Sequence, residues 1–483
     1  MMCCEEENAS EKLILCFDVG ENDSCYDMSI RSALEEAENE MILLQETMDS
    51  INALKSNCDK LDYILSACSG VFCGIIDIIF IGKPGASPVG KITDKWFADR
   101  VGDFAKLCGW TESEKSADPV VSAIRFLERK FKVPYDQRGC DAVVGSVFGI
   151  NPVNHHFKSL AHNPTLMGLF FSILDQFCNT SHFVTSGDLI SLERADDSFI
   201  LIGNNVSSKI FCAFVNWIGH IISDTTGASC SKGRGMGLPS PFWAWINDLI
   251  VIRRKLNITK TQFDNSINEL AFNVFKEGFD MRFQAAQVIP VVINELLVRF
   301  IYSFRRLFKY LINNESRQYC FFEIWKTCEP VTTPSVKRML TVAHGTFCLL
   351  DLGDAAIRGG IMGGGSFNVT EFCLRVNIAG MGRFMISLYG EMKRGIQYSR
   401  QYRYYYKETN RNRTILEDYI EGLQLLAERY NDNELLIFIE SCRNSSAYRD
   451  VFEKTVLLAE VRNVPDELIL KNKKDIDNYF MRG

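Results

Sequence analysis

Apolar or small residues recur at Ile30, Leu34, Ala37, Met41, Leu44, Met48 and Ile51 in alternating steps of four and three, with Glu, Asp and Asn between them. That spacing predicts a long N-terminal helix with a heptad seam. Lys55 breaks the register and Cys58 resumes it only weakly. The seam is read first as a helix packed along its own domain, and second as a contact with another copy of the chain. Tyr63 to Gly82 is then a nearly unbroken apolar run, about the roughly 20 residues that a bilayer requires. Ala67, Ser69, Gly70 and Gly74 are small enough to admit a neighbouring helix closely. Asp77 is its one charged member, an expensive residue in lipid that has to face protein or water. Lys83-Pro84-Gly85 ends the run.

Further along, amphipathic pieces around Trp96-Phe97, Phe104-Ala105 and Ile124 to Leu127 predict short helices separated by Gly and Pro. Val288 to Lys309 reads as another apolar helix, with Glu295 and Arg299 four apart and Arg305, Arg306 and Lys309 at its end. That positive end suits either the cytoplasmic side of a membrane or the last turn of a buried helix. Apolar helical tracts follow at 339–361 and 370–390, and residues 411–475 are polar with helical period and a break at Pro465. Phe199 to Ile202 is the best short strand candidate, and no repeat of fixed period occurs. The expected fold is therefore mainly α: a multi-helix bundle with apolar, membrane-compatible helices and a long N-terminal helix. Its expected divisions are 1–62, the acidic N-terminus and heptad-like helix; 63–140, an apolar helix and small helical segment; 141–392, the central helical domain; and 393–483, a basic-aromatic tract and polar tail.

Composition narrows the setting. The 483 residues are 47% hydrophobic and carry a net charge of −7, which argues against general nucleic-acid binding. The seventeen cysteines are odd in number and irregularly spaced, no CxxC pair occurs, and the N-terminus is acidic where a signal peptide is basic. Most cysteines are then small core hydrophobes in a reducing compartment. The expectation is a protein of the inner membrane or its cytoplasmic face, not a secreted one.

Candidate chemistry is concentrated in the histidines. Three of the six, His155, His156 and His162, fall in one short window between Asn151-Pro152 and Pro164. His220 precedes Asp224 by four residues, and with Asn216 they share one face of an apolar helix. Such a polar stripe must be satisfied, by a metal or by a hydrogen-bonded core. Neutral imidazoles converging on a His/Asp helix would give a nitrogen–oxygen ligand set suited to zinc or iron, with Asp136, Asp141 or Asp175 available to orient an imidazole. In the competing reading these histidines cap helices and bond to backbone. A second stripe, His344, Asp351, Asp354 and Arg358, either forms an ion network within its helix or lines the same cavity as His220. The stripe Glu277, Asp280 and Gln284 offers a further carboxylate without singling one out. Cys230 to Pro239 is a glycine-rich loop without the phosphate-loop pattern. Residues 393–407 alternate Arg and Tyr, which suits an anionic membrane surface or single-stranded nucleic acid. The sequence has no GxSxG, HRD or HExxH motif, and no GxGxxG following a strand.

The run from His156 through His162, then an apolar helix, then Gly219-His220-xxx-Asp224-xx-Gly227 resembles bacterial inner-membrane metal-dependent hydrolases. Phe157 and Asn163 stand where that family has Arg and Ser, and Gly219 abuts His220 where the family leaves a gap. More broadly, the chain looks like proteins of gut Firmicutes, a likeness that implies no function. The hydrolase resemblance implies a membrane-associated enzyme acting on a phosphate or acyl ester. Its divalent zinc or iron would be held by His155, His156, His162, His220 and Asp224. The expectation from a different class is a non-enzymatic helical membrane or assembly protein with an internal polar network. Membrane lipid is the expected partner, along with a second copy of the chain through the N-terminal helix.

Overall fold

The structure, a computed structural model, describes residues 42–112, 118–133, 149–150, 154–193, 202–227, 237–313, 321–363, 366–442, 448–465 and 468–469. The chain divides into two compact units, one of Asn57–Glu391 and one that joins Met1–Ser56 to Met392–Gly483. The fold is mainly α, and among the described residues its one sheet is a two-stranded hairpin.

In the smaller unit, helix α1 covers 42–54 and buries Ile51. The earlier part of the heptad seam, Ile30 to Met41, lies outside the described residues. The same unit holds the later part of a 53-residue helix, Ile378–Tyr430, followed by helices Asn433–Cys442 and Tyr448–Val461. Ala427, Phe438 and Ile439 form its core, with Ile420, Leu435 and Leu458 packed around them. Helix ends after Tyr448–Val461, in keeping with Pro465.

The larger unit begins with α2 (Lys60–Ile76), which continues as a π-helical turn Asp77–Ile81. Asp59 and Asp62 cap its start reciprocally. Asp62, wholly buried, also takes Arg305 and Arg306 from a later helix, while Asp59 takes Arg305 at 3.0 Å and Lys309 at 2.7 Å. The basic residues of that helix thus close on the acidic start of α2, whose N-terminal dipole favours the two carboxylates. There follow α3 (Pro88–Leu107), α4 (Pro119–Lys130), the single turn α5 (His155–Lys158), α6 (Leu166–Cys178), strands β1 (Thr180–Thr185) and β2 (Asp188–Glu193), and α7 (Val206–Asp224). Next come α8 (Pro241–Lys255), α9 (Gln262–Lys276), α10 (Met281–Asn313), α11 (Phe321–Cys328), α12 (Pro334–Met362), α13 (Val369–Arg375) and the start of α14 (Ile378–Tyr430).

The described hairpin covers 180–193; of the strand expected at Phe199 to Ile202, residues 199–201 lie outside the described residues and Ile202 is not in a strand. Its two-residue turn is Ser186-Gly187, both with positive φ. This is the turn geometry that matches strand twist, and Thr185↔Asp188 closes the antiparallel ladder.

Among the described residues, four helices are long and apolar enough to cross a membrane: Lys60–Ile81 (22 residues), Val206–Asp224 (19), Met281–Asn313 (33) and Pro334–Met362 (29). They keep large apolar side chains exposed. Leu296, Phe300, Phe304 and Phe308 of α10 follow at intervals of four, so each is the surface neighbour of the next in one winding stripe, all more than half exposed. A contiguous apolar face of this kind is what lipid or a partner covers. The inner faces pack tightly. A β-carbon on Gly70 would lie 2.2 Å from the carbonyl oxygen of Ala343, so the absence of a side chain there is what lets α2 cross α12.

Candidate metal centre

The histidine loop is shaped by its backbone partners. After Asn154 the chain makes the turn α5, pairs Ser159 with Phe183 of β1, and forms a 3-10 turn over Leu160–His162. Thr165 then caps α6, its hydroxyl accepting from the Gly168 N–H. Phe157 and Leu160 point into the main core, against Phe275 and its neighbours. Their burial leaves backbone groups to be satisfied. The Asn247 side chain of α8 donates to the Phe157 carbonyl at 2.7 Å, and Asn268 of α9 donates to Asn247 at 3.0 Å.

Helix α7 brings the other half. Asn205 and Ser208 form a capping box at its start, and His220 and Asp224 occupy its last two turns. Helices α3 and α4 pack on it through Val101, Ala105, Ile124, Leu127 and Phe131, against Val215 and Ile222. Phe131 lies against Gly219, where a β-carbon would come within 2.3 Å of the aromatic ring. This close approach brings the Phe131 carbonyl to His220 Nδ1, at 2.9 Å.

The five residues His155, His156, His162, His220 and Asp224 are all buried, none more than 4% exposed. His220 Nε2 lies 3.2 Å from Asp224 Oδ2 and 3.2 Å from His162 Nε2. His156 Nε2 is 3.6 Å and His162 Nε2 4.0 Å from the same Asp224 oxygen. For tetrahedral bonds of about 2.0–2.1 Å, ligand atoms stand about 3.3 Å apart. His162, His220 and Asp224 therefore form one group whose ligand atoms all lie within 4.8 Å of one another, with the His220 spacings close to the tetrahedral value, and His156 approaches the same Asp224 oxygen. His155 completes a second, overlapping group with His156 and His162 whose ligand atoms lie within 4.8 Å of one another. Its ring is 4.1 Å from that of His156 and 5.3 Å from that of His162.

Two imidazoles have their tautomer set by backbone. Nδ1–H of His220 donates to Phe131, and Nδ1 of His156 faces the Gly237 carbonyl at 3.3 Å. In the neutral ring the other nitrogen, Nε2, then carries a lone pair, and both Nε2 atoms turn toward Asp224. Asp224 Oδ2 is itself buried without a hydrogen-bond partner, as is His162 Nδ1. The two fixed lone pairs beside this carboxylate oxygen make a cluster that a positive charge would satisfy. Burial, joined by His220 and His156, holds the His162 imidazole well below its ordinary pKa, which keeps it in the neutral form that binds metals. These groups can hold a metal ion.

Other polar residues go elsewhere. Asn216 turns away from His220 and donates to Gln176 of α6 at 3.0 Å. His344 does not join His220; it meets Asn294 of α10 at 3.4 Å, and Asn294 accepts from Ser69 at 2.7 Å. Arg358 pairs with Asp354 at 2.9 Å within α12. Asp175 orients a different imidazole, His182 of β1, and also accepts from Thr180 and the His182 N–H. Asp280 pairs with Arg282. Asp136, Asp141 and residues 230–236 of the glycine-rich loop lie outside the described residues. The carbonyls of Phe131 and Gly237 and the amide of Asn247 were not legible as site residues; the one trace of them was Gly219 beside His220. Comparison with protein-family models, curated proteins and solved structures returned no match.

Proposed function

We propose that this chain is a membrane-embedded, metal-dependent hydrolase of phosphate or acyl esters. His156, His162, His220 and Asp224 hold the ion, and His155 stands beside them. The observation that carries this reading is the buried, unpartnered Asp224 Oδ2 facing three imidazole nitrogens. Three nitrogens and one oxygen suit zinc or iron. A divalent ion there would lower the pKa of water toward neutrality and polarise a phosphoryl or acyl oxygen. The backbone carbonyls of Phe131 and Gly237 hold two imidazoles in ligand orientation. His155 is placed to carry the proton that the departing oxygen takes up when the ester bond breaks. Asp224 ends a membrane-length helix, so in this reading the substrate is an ester near the edge of the bilayer, with the inner membrane as the setting.

The second reading is a non-enzymatic membrane or assembly protein. It is favoured by the Asn216–Gln176 and Ser69–Asn294–His344 contacts, in which buried polar groups satisfy one another. In that case a charged His220 donates to both the Phe131 carbonyl and Asp224, and no ion is needed.

Metal analysis of detergent-purified wild type, His220→Ala and Asp224→Ala separates the two. The hydrolase reading expects about one ion per wild-type chain, little in either variant, and chelator-sensitive hydrolysis of a chromogenic phosphate or acyl ester. Equal metal content in all three proteins removes it. Bound metal without hydrolysis of either ester class favours the second reading. Retention in the membrane pellet after a carbonate wash tests embedding by itself.

A further inference from the structure

A second buried polar group lies away from the histidines, where three membrane-length helices meet a break in the chain. Asp77 opens the π-turn after α2, Asp351 lies in α12, and Gln287 lies in α10 just before Pro290. Val376 and Asn377 are the non-helical residues between α13 and α14. Asp77, Asp351, Gln287 and Asn377 are at most 3% exposed. Asn377 binds the group together. Its backbone N–H donates to Asp351 Oδ2 at 2.8 Å, and its Nδ2 donates to Asp77 Oδ1 at 2.6 Å and to the Gln287 carbonyl at 3.0 Å. Its Oδ1 accepts from the Gly380 N–H at 2.8 Å.

Charge is unbalanced here. Asn377 bonds both carboxyls, Asp351 through its backbone N–H and Asp77 through its Nδ2, so two buried acids are held around one neutral residue. The nearby cations are engaged by other acids: Arg358 by Asp354, Arg375 and Lys83 by Glu371, and Arg383 by Glu295. Among the described residues no Lys or Arg forms an ion pair with Asp77 or Asp351. The other titratable side chains facing the pair from its own helices are Asp354 and Cys348. An independent sign of a missing ligand comes from Gln287. Its Nε2 donates to the Val376 carbonyl at 2.9 Å, so its planar amide lies at the same break, yet its Oε1 is buried without a partner.

We propose that Asp77 and Asp351, with the Gln287 amide oxygen, form a binding site for one monovalent cation, a proton or an alkali-metal ion. Buried acids at interrupted helices are where membrane proteins handle such ions, and the oxygen-only donors suit a hard cation. This site shares no residue with the metal centre and stands or falls apart from it.

The test uses the full chain in detergent micelles. Infrared spectroscopy at neutral pH reads the carbonyl stretch of a protonated carboxyl. Melting curves in sodium, potassium or choline chloride at equal ionic strength read a specific ion. A protonated-carboxyl band lost in both Asp77→Asn and Asp351→Asn identifies a shared proton. A rise in melting temperature with sodium or potassium over choline, absent in those variants, identifies an alkali ion. Wild-type protein with neither the band nor an ion-specific rise overturns the proposal, a result that stands even where the variants fail to fold.

Discussion

The Nε2 atoms of His162 and His220 lie 3.2 Å apart, on a 3-10 turn and on a helix that are 58 residues apart in the chain. With its proton on Nδ1, His220 can accept a hydrogen bond from His162 Nε2–H; an ion bound between them would instead take the Nε2 lone pairs of both rings. His162→Ala is therefore expected to reduce bound metal to background. His155→Ala, beside the set, is expected to keep the metal and lose hydrolysis. Metal analysis alongside ester turnover on both variants checks this, and loss of metal in His155→Ala would move that residue into the shell.

Gly219→Ala places a methyl group against the Phe131 ring and so pushes the Phe131 carbonyl away from His220. Overpacking of this kind destabilises by about 1–3 kcal/mol. Loss of a partner that orients a ligand lowers metal affinity by about 10–100-fold. Metal competition with a chromogenic chelator and a thermal melt measure the two effects separately. An unchanged affinity would show that the Phe131 contact does not orient His220.

Asn247→Ala leaves the Phe157 carbonyl and the Asn268 amide buried without their partner. Each unsatisfied group costs about 1–3 kcal/mol. The variant is expected to melt well below wild type and to hold metal more weakly, because the histidine loop loses its anchor on α8. Denaturant unfolding with and without added zinc provides the measurement.

Burial raises the Asp248 carboxyl above its ordinary range, against the pull of Thr165 and Asn163. The folded chain then keeps this proton to higher pH than the unfolded chain does. The stabilising contribution is greatest in acid and falls as pH rises from the ordinary carboxylate range through the folded value, leaving a charged group that opposes folding at neutrality. Asp248→Asn is expected to flatten the fall in melting temperature over that window and to match or exceed wild type at pH 7. A variant with the same pH slope as wild type would refute the assignment.

Periodicity alone located the apolar helices, because a run such as Tyr63 to Gly82 has few other ways to satisfy its backbone. It also placed His220 and Asp224 on one face. Asn216 falls on the same buried face, but eight residues at 1.5 Å each set it about 12 Å along the axis from Asp224, and there it meets Gln176. His344, Asp351 and Arg358 do share a face, but fourteen residues at 1.5 Å each spread them over about 21 Å. Each accordingly meets a different neighbour. What pattern could not supply was tertiary: which carbonyl reaches His220, or that Asp175 serves His182. The hairpin was hidden because its signal is a Ser-Gly turn and not an apolar run.

Asp62 has a consequence for how the chain is made. Its carboxylate sits at the start of an apolar segment and, among the described residues, is paired with Arg305 and Arg306, more than two hundred positions downstream. Until those arginines have been translated, the start of this helix carries an acid without these counter-charges, so the contact that closes α2 against α10 can form only late in synthesis.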